Sequence, residues 1–142
     1  MNKLFLSCCF LLMTAVSFGQ LKPDTTREDL SRFCDKFMQT FVANHVSEAI
    51  QSLRINSTLD GSFVDNLDKS INQQMNNVKN SYKKMVGYDF VEEKAIKDVL
   101  VRRRYILKFE LYFLTFDFYL YNNGSKWSIS GFFYKDDQKE LF

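Results

Sequence analysis

Apolar and polar side chains alternate along residues 113–121 and again along residues 126–134, a pattern that predicts two paired β-strands. The polar segment between these runs contains Asn123-Gly124. Asn-Gly favours a two-residue type I′ turn, because both central positions of that turn have positive φ. With this turn, the predicted pairs are Leu120 with Trp127, Phe118 with Ile129, Phe116 with Gly131, and Leu114 with Phe133. A slip of one residue would move every apolar side chain to the polar face, so the pattern specifies this register.

Upstream of the hairpin, apolar residues recur at three- and four-residue steps, which is the spacing of helices. We predict a first helix that begins with a capping box formed by Thr25 and Glu28. This helix ends at a break over residues 44–45, and a short second helix follows over residues 46–53. The apolar stripe of a longer third helix covers residues 63–85.

Gly87 is predicted to close the third helix as its C′ residue, and the hydrophobic period then changes to two. Tyr88–Ile96 and Val101–Glu110 are therefore predicted as the first two strands. In the second strand the residues predicted to face inward are Arg103, Tyr105, Leu107 and Phe109. Leu111-Tyr112, which joins this strand to the hairpin, contains none of the usual turn residues.

Helices followed by strands are the order of an α+β fold, here with about three N-terminal helices on a curled antiparallel sheet of about four strands. Such a sheet buries one face under the helices and leaves its other face open. The sequence contains no repeat, low-complexity tract or Pro/Gly-rich linker that would indicate a second domain. We therefore predict one domain over residues 20–142.

The N-terminal residues have the pattern of a cleavable signal peptide. An apolar run over residues 4–16 follows one positive charge, and residues 17–19 place small side chains at the −3 and −1 positions. The run is shorter than the roughly 20 apolar residues that span a bilayer, so no stable membrane anchor is predicted. Lipoprotein processing at Cys8 or Cys9 is an alternative. We predict export to the periplasm or the extracellular space after removal of residues 1–19.

Charge and cysteine content narrow the classes of partner and cofactor. The formal net charge of +2 falls to +1 when Lys3 leaves with the signal peptide, which does not predict a nucleic-acid partner. Cys34 is then the sole cysteine, and its place on the apolar stripe of the first helix predicts a core position. The single histidine, His45, has no second His or Cys at ligand spacing, so neither a metal site nor a cofactor is predicted.

The order of elements has a long first helix, a short second helix and a third helix that ends in Met85-Val86-Gly87-Tyr88. The chain closes with a Trp strand after a glycine turn, Gly124-Ser125-Lys126-Trp127-Ser128-Ile129-Ser130-Gly131-Phe132. This pattern resembles the nuclear-transport-factor-2-like superfamily, the cystatin-like α+β cone, and its small exported bacterial members with no assigned activity. The resemblance implies a cone with a pocket between sheet and helices. Activities in that superfamily range from isomerases and dehydratases to binding and dimerisation, and no acid/base motif can be transferred here.

Arg103, Tyr105, Trp127 and Gly131 are the candidate ligand-binding residues. In the predicted pairing Arg103 lies opposite Leu120, which in turn lies opposite Trp127. An inward-facing arginine needs a carboxylate, an aromatic ring or a bound anion as its partner. The alternative role is structural, a cation–π contact or an arginine that extends to solvent at the end of the sheet. Gly131, on the predicted core side, indicates either a bend in the sheet or space for a ligand.

Four aromatic residues are predicted on the open face of the sheet: Tyr119, Tyr121, Phe132 and Tyr134. Several exposed aromatic side chains together form a patch, which suits a homodimer interface or a flat platform for a partner or glycan. The alternative is coverage by the C-terminal tail, residues 135–142. The run Arg102-Arg103-Arg104 alternates between faces, so we predict a solvated edge and not a basic patch.

These features favour an exported, non-enzymatic domain that binds an unknown small molecule or pairs with a second copy of itself. The reason is the absence of an acid/base pair together with a surplus of aromatic residues on the sheet. One alternative is a pocket enzyme of the isomerase or dehydratase type, in which His45 is the general base and Arg103 or Tyr105 polarises the substrate. Another is a carrier of a small apolar ligand, which needs a sizeable enclosed cavity near Gly131.

Overall fold

The computed structural model describes residues 25–139 and 141–142 of the chain, and the predicted signal peptide lies outside these residues. The elements, in chain order, are α1 Arg27–Val42, α2 Val46–Gln51, the single turn α3 Leu53–Asn56, α4 Gly61–Tyr82, β1 Met85–Ile96, β2 Leu100–Phe109, β3 Phe113–Asn122 and β4 Trp127–Lys135. Helices precede an antiparallel sheet, so the predicted α+β class is confirmed.

The four strands form one open antiparallel sheet in the order β1-β2-β3-β4. α1 packs across one face of this sheet, where the ring of Phe37 meets Phe118 and the ring of Phe41 meets Phe116, both edge-on at 5.0 Å. Burial of each such ring contributes roughly 1.5–3 kcal/mol. This face is called the helix side, and the opposite face, which includes Arg104 of β2, is called the outer face.

α1 begins one residue later than predicted. Thr26 is the N-cap: its hydroxyl accepts the backbone N–H of Asp29 at 3.1 Å, and the Asp29 carboxylate accepts the Thr26 N–H at 3.0 Å. Asp29 therefore takes the place predicted for Glu28 in the capping box, and its negative charge lies at the positive end of the helix dipole.

α4 ends at Tyr82, before the predicted Met85, and Lys83 occupies the cap position with a φ of +68°. The prediction that Gly87 closes this helix is wrong. Gly87 lies inside β1, at a break in the β1–β2 register and with a φ of +152°. Glycine suits this irregularity, because positive φ has little steric cost without a Cβ.

The short link between β2 and β3 is fixed by the end of α4. The Glu110 N–H donates to the Lys84 carbonyl at 3.0 Å, and the Leu111 N–H donates to the Tyr82 carbonyl at 3.2 Å. These two bonds satisfy backbone donors that Leu111-Tyr112 cannot satisfy with turn residues of its own. The contact with the end of α4 therefore stabilises this link in place of turn residues.

The turn of the β3–β4 hairpin is longer than predicted, since Asn122 pairs with Trp127 and residues 123–126 form the loop. The side-chain oxygen of Asn123 accepts the N–H groups of Ser125 and Lys126 at 3.0 and 3.1 Å. Asparagine often stabilises turns in this way, and here its side chain closes a four-residue loop. The predicted pair of Leu120 with Trp127 is therefore wrong.

A bulge at Ser130 shifts the rest of the hairpin. Leu120 pairs with Ile129 and Tyr119 with Gly131, so that Ser130 is the extra residue of β4. One extra residue reverses the alternation of the side chains that follow it. Phe132 is consequently buried on the helix side, and Phe133 lies exposed on the outer face, the reverse of the prediction.

Candidate functional site

Polar side chains connect α1 with β1 and β2 on the helix side of the sheet. This group, called the Arg103 network, consists of Arg27, Asp35, Glu93, Arg103 and Tyr105. The Tyr105 hydroxyl donates to Asp35 Oδ1 at 2.6 Å. The same hydroxyl accepts from Arg103 Nε and Nη2 at 3.1 and 3.0 Å. Arg103 Nη1 donates to Glu93 Oε2 at 2.5 Å, and Glu93 also accepts from Arg27.

Glu93 and Arg103 each stabilise the ionised form of the other. Burial raises the pKa of Glu93, but hydrogen bonds from Arg27 and Arg103 outweigh that effect and hold its pKa below the ordinary value. Burial acts to lower the pKa of Arg103, and the bonds to Glu93 and Tyr105 more than reverse this, so that its pKa is raised. Burial and the bond to Asp35 raise the pKa of Tyr105. Glu93 and Arg103 are therefore an ion pair near neutral pH.

Arg103 has both kinds of partner that its inward position requires. Its guanidinium carbon lies 4.6 Å from the centre of the Phe90 ring, in addition to its bonds to the carboxylates of Glu93 and Asp35. A bound anion is not needed to compensate its charge. The structure thus brings Arg103 and Tyr105 together, as predicted, but in an internally satisfied contact between α1 and the sheet.

Trp127 and Gly131 do not join this group. Trp127 lines a surface cleft beside Thr26 and Lys126, whereas Arg103 lines a neighbouring one beside Glu93. Gly131 pairs with Tyr119 on the outer face, where an added Cβ would lie 3.0 Å from the Phe133 ring. Its small size makes room for that ring and not for a ligand between the helices and the sheet.

The space between helices and sheet is filled by aromatic rings. Phe116 and Phe118 are fully buried, and their ring centres lie 5.5 and 5.1 Å from that of Phe132. Rings at these separations are in direct contact. The packing does not favour the alternative of an apolar-ligand carrier with a cavity near Gly131.

His45 lies at the surface of the molecule, whereas Cys34 lies in its core. His45 follows the end of α1 with its side chain 64% exposed, and its nearest acidic neighbour is Glu48 at 3.6 Å. Tyr105 is bonded to Asp35, which lies about two turns before the end of α1, so the expected pairing of a His45 base with Tyr105 is not assembled. Cys34 is fully buried, as predicted, and burial raises the pKa of its thiol.

The outer face contains a buried ion pair at its centre. Arg104 and Asp117 are 1% and 4% exposed, and two parallel bonds of 2.7 Å join Nε to Oδ1 and Nη2 to Oδ2. This bidentate arrangement is the strongest geometry for an arginine–carboxylate contact. The prediction of a solvated edge at residues 102–104 is wrong for Arg104.

Aromatic side chains share this face with the ion pair, and they include two of the four that were predicted. Phe133 is 61% exposed, and its ring meets Tyr119 edge-on at 5.7 Å. Tyr121, also exposed, follows on the same face of β3. Tyr119 and Tyr121 thus lie on the outer face, as predicted. Phe133 takes the place expected for Phe132.

Phe132 and Tyr134 belong to the helix side. The Phe132 ring lies 5.2 Å from Phe37 of α1, and the Tyr134 hydroxyl donates to Gln74 of α4 at 2.7 Å. Both were predicted on the outer face, and the bulge at Ser130 is the reason for the error.

The C-terminal tail does not supply the coverage that the sequence left open as an alternative. The backbone carbonyl of Asp136 accepts from the Tyr112 hydroxyl, and Gln138 donates to the same hydroxyl. These bonds hold the tail beside the β2–β3 link. Phe142, at its end, is fully exposed.

No protein-family model, curated protein or solved structure matches this chain. Within residues 25–139 and 141–142, no three or more His, Cys, Asp or Glu side chains are grouped so that they could hold a metal ion. None of the helices in the same part of the chain is long and apolar enough to cross a membrane.

Proposed function

We propose that this chain is an exported, non-enzymatic binding domain whose outer sheet face pairs with the same face of a second copy. The observation that carries the proposal is the exposed Phe133 ring, packed edge-on against Tyr119, with Tyr121 on the same strand face. Exposed aromatic side chains that lie together are typical of interfaces, where they supply large contact area at low entropic cost.

A second copy suits this face because most of its charges are paired within the sheet, although Glu92 is shared by Arg102 and Lys94. Arg104 pairs with Asp117 at 2.7 Å, Lys108 pairs with Asp89 at 2.8 Å, and Arg102 pairs with Glu92. Two such faces therefore meet with little repulsion, whereas a strongly charged partner gains little from them. A twofold interface also requires a patch that is complementary to itself.

The Arg103 network and the filled interior support a binding role over a pocket reaction. Arg103 and Tyr105 already use their hydrogen-bonding groups on Asp35 and Glu93. The α+β order supports a place in the nuclear-transport-factor-2-like superfamily, which includes dimerising members without catalysis.

The test is the mass of the purified protein by size-exclusion chromatography with light scattering over a range of concentrations. We expect a dimer, and Phe133→Ser should shift it toward monomer, because a central aromatic contact is worth about 2 kcal/mol or more. Phe63→Ser is the matched control, since Phe63 is a similarly exposed aromatic residue on α4. A wild-type monomer at the highest concentration, or equal effects of the two substitutions, would contradict the proposal.

A further inference from the structure

A surface cleft lies between the C-terminal ends of α1 and α4, away from the Arg103 network and the outer face. Its volume is about 520 Å³, and the residues that line it are Val42, Asn44, Lys79, Lys83, Lys84 and Met85. We call it the lysine cleft. Its volume falls within the range of small-molecule sites, roughly 300–1,000 Å³.

The lysine cleft concentrates positive charge with which no acidic side chain pairs. Three of its six lining residues are lysines, and none is acidic. Lys79 donates to the neutral side-chain oxygen of Asn44 at 2.6 Å. Among the ion pairs formed by residues 25–139 and 141–142, none involves Lys79, Lys83 or Lys84. Like charges that line one cleft repel, and a bound anion would relieve the repulsion.

Two residues of the lysine cleft have backbone conformations that favour glycine. Asn44 has a φ of +71°, and Lys83 has a φ of +68° with a ψ of −146°. A side chain at such a position costs about 1–3 kcal/mol, and that cost is often found at binding sites. The carbonyl end of α4 favours nearby cations, which accounts for Lys79 in the last turn of that helix. This attraction does not account for Lys83 at a position of positive φ, where glycine would be more stable.

We propose that the lysine cleft binds a small tetrahedral oxyanion, the head group of a phosphate or sulfate monoester. Lysine ammonium groups are compact charges with three donors each, and several of them converge well on the oxygens of a tetrahedral anion. Val42 and Met85 supply an apolar floor on which the organic part of an ester rests. In this arrangement Lys83 and Lys84 bind the anion, and Lys79 is positioned by Asn44.

Isothermal titration calorimetry on the purified protein tests the site with phenyl phosphate, phenyl sulfate and sodium chloride at equal ionic strength. We expect saturable binding of at least one ester and no saturable signal with chloride. Phenyl phosphate against phenyl sulfate separates the two possible classes of ligand. Absence of saturable binding for both esters, or an equal response to chloride, would overturn the proposal.

Two glycine substitutions test whether the ester binds in the lysine cleft. Lys83→Gly should raise the melting temperature by relieving backbone strain, and should weaken ester binding about tenfold by removing a charged donor. Lys97→Gly is the matched control, because Lys97 has a φ of +49° at the β1–β2 turn and does not line the cleft. It should raise the melting temperature without changing binding. Equal ester affinity in Lys83→Gly and the wild type would place the anion elsewhere and overturn the proposal.

Discussion

Arg104 and Asp117 form a buried ion pair on the one face of the sheet against which α1 does not pack. Their position is unusual, because charged side chains on an uncovered sheet face normally extend into water. Here the pair lies in the central strands β2 and β3, and flanking side chains exclude solvent from it. Taking two charges out of water offsets most of their attraction. The net contribution to stability is therefore small, but each member depends on the other.

Removal of one partner should consequently be far more costly than removal of an exposed pair. We expect Asp117→Ala to lower the free energy of unfolding by about 3–5 kcal/mol, because Arg104 stays buried without its carboxylate. Asp89→Ala breaks the exposed contact with Lys108 and should cost less than about 1 kcal/mol. Urea denaturation of both variants measures the difference. A similar cost for the two substitutions would contradict the account of the outer face.

The bulge in β4 decides which of two adjacent phenylalanines enters the core. Regular alternation from Trp127 would place Phe133 on the same face of the sheet as Trp127 and Ile129. Phe132 would then lie on the other face. The extra residue at Ser130 exchanges the two positions. The single unpaired residue, Ser130, thus determines which phenylalanine enters the core and which is exposed on the outer face.

Substitution of the two neighbours provides a direct test of this register. We expect Phe132→Ala to lower the free energy of unfolding by about 3–5 kcal/mol, because a buried ring leaves a cavity. Phe133→Ala should cost less than about 1 kcal/mol, since its ring is mostly exposed. Urea denaturation should be measured at a concentration low enough to keep the chain monomeric, because dimer dissociation would add to the result. The opposite ranking would support the unbulged hairpin.

Much of the element order could be predicted from the sequence, because apolar spacing reports which side chains enter a core. The period of α1 and of β2 gave their types and their bounds to within a few residues. The hairpin register could not be predicted, since the Asn123 side chain selects a longer loop and the bulge leaves no apolar signature. Similarly, nothing local shows that α4 would fix the β2–β3 link.

The candidate site was only partly predictable for a related reason. Arg103 and Tyr105 were singled out because they alternate inward along one strand. Glu93 is the direct β1 neighbour of Arg103, so a closer comparison of the two strands contains that signal. Asp35, in contrast, meets Tyr105 only through the packing of α1 across the sheet. Sequence periodicity does not encode how α1 lies across the sheet.

At the scale of the whole molecule, the aromatic core and the Arg103 network hold the helices on the sheet together. Rings of Phe37 and Phe41 supply the apolar contact between α1 and β3. The bonds from Asp35 to Tyr105 and Arg103 add a polar contact between the same layers. Since this polar contact uses a protonated tyrosine, the attachment of α1 to the sheet depends on pH.

The sign of that dependence follows from the raised pKa values. Burial raises the pKa of Cys34 from 9.0 and, with the bond to Asp35, that of Tyr105 from 10.0, so the folded chain keeps protons that the unfolded chain releases. Stability is then complete below about pH 8 and falls with rising pH, by at most about 1.4 kcal/mol per pH unit for each group. Burial also raises the pKa of Tyr82 and Tyr134, which adds to the loss above pH 10.

Urea denaturation between pH 7 and pH 11 should therefore show stability that declines from about pH 9 and more steeply above pH 10. Cys34→Ala should remove the earlier part of the decline, because no thiol remains to be released. Tyr105→Phe should reduce the slope above pH 10, although it lowers stability at pH 7 by about 1–3 kcal/mol through lost hydrogen bonds. If Tyr105→Phe leaves that slope unchanged, the contact between α1 and the sheet does not depend on the tyrosine proton.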